Sequence, residues 1–182
     1  MPIAIGKATR IIEFLDDDKE YLAEVSFGES TNTYDCEGES TFKSEKKVSK
    51  TDVLNELENF KGEILQTPPI FSAIKVKGKK LYEYARKGEE VQIEPRKVCI
   101  EKIELINFDE KNQKAEILIK CSKGTYIRSI AHDLGHNLGV GAHLSKLIRT
   151  RAGSFEIKKA IPLEEIKLQE DVNSNLINPW IS

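Results

Sequence analysis

Cysteine is scarce in this sequence, and the little there is lies scattered. Cys36, Cys99 and Cys121 are odd in number and far apart, which excludes a disulfide framework and a zinc-ligand spacing. Buried, reduced thiols are the expectation. Long hydrophobic runs are missing as well. No apolar stretch approaches the ~20 residues that cross a bilayer, and the opening "MPIAIGKATR" lacks the basic, apolar and small-residue zones of a secretory signal. An intracellular, cytoplasmic chain without a membrane partner is therefore expected. The sequence also has no internal repeat, no low-complexity tract and no clear linker. Charge of one sign is not in excess either, with 28 Lys and Arg against 30 Asp and Glu.

What is present fits one soluble domain. A chain of 182 residues with 39% hydrophobic and 32% charged residues can bury a core without covalent staples. The charge, however, is unevenly placed. Residues 74–88, "IKVKGKKLYEYARKG", carry Lys75, Lys77, Lys79, Lys80, Arg86 and Lys87 against the single acid Glu83, so this window is +5 and the remainder −7. A basic patch on an otherwise acidic protein draws phosphates to one place. Tyr82 and Tyr84 lie inside it, and rings beside cations suit a groove that follows a sugar-phosphate backbone. The alternative is a solvated loop and helix face, which is what most charge runs are.

Periodicity predicts an α+β fold. "KEYLAEVSFG" alternates Tyr21, Ala23, Val25 and Phe27 with Leu22, Glu24 and Ser26, a half-buried strand. The polar "ESTNTYDCEGES" reads as turn. "SKTDVLNELENFKG" reads as an amphipathic helix: Ser49 and Asp52 form a capping pair, Val53, Leu54, Leu57 and Phe60 share a face, and Gly62 is the stop. Pro68 and Pro69 hold the next segment extended, presenting the basic stretch beyond them. "RKVCIEKIELINF" and "QKAEILIKCS" pair as a hairpin across "DEKN", and Ile127, Ile130, Ala131, Leu134 and Leu138 mark a helix closed by Gly139 and Gly141.

"CSKGTYIRSIAHDLG" thus spans a strand-to-helix junction. Such a junction presents side chains at the sheet rim beside free helix amides, and Gly124 permits close backbone approach. Lys123, Tyr126 and Arg128 crowd there, with Arg128 suited to hold one carboxylate bidentately. The plainer reading is an ion-paired helix start with a tyrosine at the edge of the core. "HDLGHNLGVGAH" also approaches a zinc-protease motif, because His132 and His136 share a helical face. The pattern then requires Glu after the first His and a third His ten residues on. This sequence has Asp133 and Ala142 there, with His143 one step late, which places a metallohydrolase last among the readings and His132 and His136 on a solvent-exposed face.

The junction, together with "QTPPIFSAIKVKGKKLYEYARKG", "GVGAHLSKLIRTRAGSF" and "PIAIGKATR", resembles the bacterial tRNA pseudouridine synthase B family, in the family's order and out to about Ile166. The resemblance implies the pseudouridine synthase fold, a mixed and mostly antiparallel sheet flanked by helices and RNA-binding loops. It implies isomerisation of uridine to pseudouridine in the T-loop of tRNA, with no metal and no organic cofactor. Tyr21 then matches the tyrosine that stacks on the target base and assists proton removal from C5. Arg128 matches the arginine that pairs with the catalytic aspartate, Tyr126 its neighbour in the pocket wall, and Leu147 an apolar residue packed against the site. Lys75, Lys77, Lys79, Lys80, Tyr82, Arg86 and Lys87, with Lys123 and Arg149, are expected to grip the T-stem loop.

Two departures accompany the likeness. The family's catalytic aspartate lies in a Gly-x-Leu-Asp-Pro run just upstream of the residues matching "PIAIGKATR", and this sequence holds no such run. Asp16, Asp17, Asp18 and Asp35 are expected not to replace it, being solvated acids at strand ends and turns. The chain is thus expected to be an N-terminally truncated portion of a single catalytic domain (1–182), with an RNA-gripping insertion at about 66–95. It would be inactive alone and serve as an RNA-binding module, its full-length parent being a monomer. The tail "EDVNSNLINPWIS" is too short for a full C-terminal RNA-binding domain.

Overall fold

The alternating residues of the first strand set the core. In the computed structural model, which describes residues 2–7, 9, 10 and 18–165, strand β1 (Lys19–Phe27) turns Tyr21, Ala23, Val25 and Phe27 inward. β8 (Lys114–Cys121) answers with Ala115, Ile117, Ile119 and Cys121. Opposed residues of an antiparallel pair share a face, so the register Tyr21↔Ile119, Ala23↔Ile117, Val25↔Ala115 makes one apolar surface. β9 (Ala142–Ala152) flanks β1 on its other side, and β7 (Arg96–Asp109) forms the expected hairpin with β8. β4 (Gly62–Gln66) and the two-residue β10 (Phe155–Glu156) are the edges, giving the order β10-β9-β1-β8-β7-β4. Every pairing inside this sheet is antiparallel. The parallel component is a single bridge from Asp35 to Leu144.

Helices α1 (Lys50–Glu58) and α3 (Ile127–Asn137) cover the apolar face, and one buried cluster runs from Tyr21 through Val53, Leu57 and Ile117 to Ile130 and Leu134. Ser49 and Asp52 cap α1 reciprocally, as the sequence predicts. Leu54 does not join the buried face and is 42% exposed. Its position, one residue past Val53, turns it about 100° around the helix, away from the sheet. The stretch "ESTNTYDCEGES" is more than turn: β2 (Glu29–Thr31) and β3 (Ser40–Lys43) pair as a small hairpin, and Ser30 and Thr31 are buried. Its polar composition hid these strands. Cys36 and Cys99 are exposed, contrary to the expected burial of all three thiols. Only Cys121 faces the core, and burial raises its thiol pKa.

Between β4 and β7, which pair with each other, the chain leaves the sheet. This excursion holds the hairpin β5 (Lys75–Val76) and β6 (Lys79–Lys80), then helix α2 (Leu81–Lys87), anchored by the fully buried Leu81.

α3 and β9 meet at Gly135. The amides of Val140 and Gly141 both donate to its carbonyl, at 3.0 and 2.9 Å, and a Cβ at Gly135 would collide with the backbone of Ala142. Gly135→Ala is expected to destabilise the fold by at least about 1–3 kcal/mol, the cost of overpacking against atoms that cannot move aside. Urea denaturation measures this as a lowered midpoint at unchanged slope.

Candidate active site

Arg128 opens α3, and its guanidinium draws three distant segments together. Nη1 donates to Asp35 Oδ2 at 2.9 Å and to the Thr33 carbonyl at 3.3 Å, while Nη2 donates to the Phe71 carbonyl at 3.0 Å. The pairing with Asp35 is single, through one nitrogen and one oxygen, where the sequence suggests a bidentate fork. These bonds use three of the five arginine donors.

Asp35 is therefore not the solvated turn acid expected from sequence. Its side chain is 22% exposed, and its Oδ1 accepts from the Thr33 hydroxyl at 2.6 Å and the Glu37 amide at 3.2 Å. Burial pushes its pKa upward, but the bonds from Thr33, Arg128 and Glu37 outweigh this and hold the carboxyl below its ordinary value. The turn around it is strapped by Thr31, whose hydroxyl donates to the Asp35 carbonyl at 2.7 Å. Tyr34 adopts φ 65°, a left-handed conformation that costs a non-glycine residue about 1–2 kcal/mol. Its ring stacks on His132 at 3.8 Å, and its carbonyl accepts from the Leu144 amide at 3.0 Å. Asp18 is ion-paired with Arg151 at 3.2 Å. Asp16 and Asp17 lie outside the described residues.

Other residues expected at the site lie on the inner face of β1 and β9. Tyr21 pairs with Arg149 and Ala23 with Leu147. The Arg149 guanidinium sits 5.4 Å from the centre of the Tyr21 ring. Tyr21 is 8% exposed, but Leu147, on the same face, is 42% exposed. Arg149 to Ala152 also line a depression of about 250 Å³ with Pro2, Phe155 and Lys159. Tyr126, the residue before α3, is half-buried.

The basic residues of the excursion are mutually arranged around rings. Lys80 and Arg86 lie 5.4 and 5.3 Å from the Tyr82 ring, and Lys79 lies 5.6 Å from the Tyr84 ring. Tyr84 is pinned through its hydroxyl to the Val76 carbonyl at 3.0 Å. Lys77 and Gly78, with φ 50° and 84°, make the tight turn of β5–β6, so Lys77 sits at its tip. Lys75 and Lys87 are exposed in the same excursion, and Lys123 occupies the turn before α3.

The histidines belong elsewhere. His132 is half-buried against Tyr34, with its Nδ1 buried and unbonded, so the expected solvent-exposed face is corrected for this residue. Burial lowers its pKa. His136 is exposed, and His143 Nδ1 faces the Glu29 carbonyl at 2.9 Å. Among the described residues, no group of three His, Cys, Asp or Glu side chains could hold a metal ion.

With this geometry in place, comparison with known proteins is specific. Residues 1–127 match the family model described as TruB family pseudouridylate synthase, N-terminal domain, and residues 128–179 match that of the tRNA pseudouridylate synthase B C-terminal domain. The chain belongs to the TruB family of pseudouridylate synthases. Curated TruB relatives include the tRNA pseudouridine synthase B of Symbiobacterium thermophilum, 47% identical over 91% of this chain and 56% of the relative. That of Caldanaerobacter subterraneus subsp. tengcongensis is 47% identical over 92% of this chain and 59% of its own length. The chain thus spans somewhat over half of the relatives it matches. Among solved structures, a chain of a Cbf5-Nop10-Gar1 complex superposes with a TM-score of 0.66 at 29% identity, covering 91% of this chain and 40% of that one. A chain of an H/ACA RNP bound to a substrate RNA containing 2'-deoxyuridine gives 0.61 at 25% identity, over 90% of this chain and 38% of that one. The two TruB models meet at the start of α3, yet β8 and β9, on either side of it, flank the same strand β1. The junction lies inside one sheet.

Of the residues expected at the site, Tyr21 and Arg149 lie against each other and Arg128 binds the turn at Thr33–Asp35. Sequence reasoning missed Asp35 as the arginine's partner and gave Tyr34, Gln66 and Phe71 no part. For Asp35, the signal was "TNTYD", whose hydroxyl and amide residues are those that bond their own backbone in tight turns.

Asp133, beside this cluster on α3, has its carboxyl pushed up to about 6 by burial, with His136 opposing the rise. A raised acid favours the folded state while protonated, so this stability is complete below the ordinary 3.8 and lost as pH rises to about 6. Asp133→Asn is expected to match the parent below pH 4. Above pH 6 it should exceed the parent by at most about 3 kcal/mol, measured by urea denaturation across pH.

Proposed function

We propose that this chain forms the uridine pocket and RNA grip of a cytoplasmic tRNA pseudouridine synthase that isomerises a T-loop uridine. Two observations carry the reading: an Arg128 guanidinium held by two distant segments, and an inner face of β1 and β9 that brings Tyr21 and Arg149 together and leaves Leu147 exposed. A base inside folded RNA must leave its stack before chemistry, at a cost of a few kcal/mol. A face with a ring, an apolar side chain and a cation suits an extruded pyrimidine, and the excursion at about 66–95 supplies cations for the T-stem phosphates. Family membership supports the reaction class. Residues 1–182 are then part of a single catalytic domain, with an RNA-gripping insertion at about 66–95.

In this reading the bond from uracil N1 to the ribose C1′ breaks, the base turns, a C5–C1′ bond forms, C5 loses its proton and N1 takes one up, so that the product is an isomer of the substrate. Tyr21 stacks on the base and assists that proton's removal. Tyr126 lines the wall, and Leu147 packs against the ring. Asp35 positions Arg128, and its surroundings, "TNTYDCEG", do not match the Gly-x-Leu-Asp-Pro run of the family's nucleophile. The attacking carboxylate is received by the remaining donor capacity of the Arg128 guanidinium. No residue of this chain matches the family's aspartate motif, so the 182-residue chain alone is a binding module. No metal and no organic cofactor is required.

Two measurements test this. Unmodified tRNA carrying tritium at uridine C5 is expected to release no tritium with this chain beyond the background rate, and sustained release would overturn the assignment of Asp35. For the grip, Lys80→Ala and Lys77→Asn should each weaken binding of a T-arm hairpin RNA. Each should lower the slope of log affinity against log salt by roughly one phosphate contact. Unchanged slopes in both would return the patch to a solvated surface.

A further inference from the structure

We infer that Gln66 is a positioning residue, whose carboxamide clamps the backbone of Tyr126 and thereby sets where Arg128 points. Gln66 ends β4 and is 2% exposed, and a primary amide so buried must find partners. It finds two in one residue. Oε1 accepts from the Tyr126 amide at 2.8 Å, and Nε2 donates to the Tyr126 carbonyl at 3.1 Å. The side chain reproduces one rung of a strand ladder where no strand continues.

The position it clamps is otherwise weakly held. Tyr126 is the residue before α3, with extended φ −97° and ψ 107°, and α3 has no side-chain cap of its own. Gln66 takes that place from across the fold, over a separation of 60 residues. Two further bonds follow along the same line. The Ser129 hydroxyl donates to the Thr67 carbonyl at 2.9 Å, and Arg128 donates to that of Phe71 at 3.0 Å. The segment 66–71 is thus laid along the first turn of α3, and it leads directly into the basic excursion. Gln66 contributes the two-bond contact in this seam, and its own place is fixed from the other side by pairing with Arg96 on β7. It acts on the site through Tyr126 and Arg128.

A second glutamine provides an internal control. Gln113 bridges the backbone of Val48 in the same way, with bonds of 2.8 and 3.2 Å, but this lies at the entry to α1. A purely structural role would make the two glutamines equivalent.

The consequence for uridine chemistry rests on the synthase reading, while the clamp itself does not. The experiment therefore follows the NMR resonance of the Arg128 Nε–H and the exchange rate of the Tyr126 amide in the full 182-residue chain. Gln66→Met is expected to displace the Arg128 resonance and to speed exchange at Tyr126 by about 10-fold or more, the value of one lost buried hydrogen bond. Gln113→Met should leave both signals unchanged. Gln66→Glu supplies the conservative rescue, since a protonated carboxylic acid has the same donor and acceptor as the amide. Burial and the facing Tyr126 carbonyl disfavour ionisation of the introduced acid, while Arg96 on β7 and Arg128 on α3 favour it. Both signals should return toward the parent's as pH falls and depart from them as pH rises. Unmoved signals in Gln66→Met, equal changes in Gln113→Met, or a Gln66→Glu variant without pH dependence would each overturn the proposal. Addition of a T-arm hairpin RNA separates the two readings. If the clamp variants behave as expected but RNA leaves the parent's Arg128 resonance in place, the clamp stands and the RNA assignment falls.

Discussion

One guanidinium organises this structure. Arg128 bonds to Thr33, Asp35 and Phe71, which are 95, 93 and 57 residues away in sequence, so the β2–β3 hairpin, the proline-bearing segment and α3 are held at a common point. A cation with 27% of its side chain exposed has lost much of its hydration, and that loss is tolerable only where several acceptors replace the water. The requirement runs both ways. The turn at Thr33–Asp35 accepts the left-handed Tyr34 because Arg128, the His132 ring and β9 all hold it in place. The strain and the charge are compensated by the same contacts.

The electrostatics are organised on a larger scale by topology. β4 and β7 pair directly, so the chain between them is free to leave the sheet without disturbing its register, and the basic residues lie on that excursion. The outer face of the sheet is treated differently. There Glu24 accepts from Lys114 and Ser145, Glu20 from Thr150, and Asp18 pairs with Arg151. Its cations are matched locally with acids, as suits a surface whose neighbour is water. The excess of positive charge lies on the excursion.

Much of the fold follows from short-range pattern. The inward residues of β1 and β8, the Ser49–Asp52 cap, the β7–β8 hairpin and the helix starting at Ile127 are all visible because each is specified by neighbours within a few positions. The strands β2, β3 and β4 were not legible, since they are short and polar and are stabilised by partners elsewhere in the chain. The family likeness was legible because motifs preserve local order, and it pointed to Arg128 and Tyr21.

What the sequence by itself determined is therefore the set of elements and the chemical types available: a forked cation, rings, and a lysine-rich tip. Only tertiary structure decided which carboxylate the cation holds, which thiols are exposed, that His132 lies against Tyr34, and that a glutamine at the end of one strand clamps the start of a distant helix. The physical reason is that periodicity reports burial along one element, whereas a hydrogen bond between residues 60 or 93 positions apart depends on how several elements pack. That packing is fixed by the whole core and is not encoded in any window of the chain.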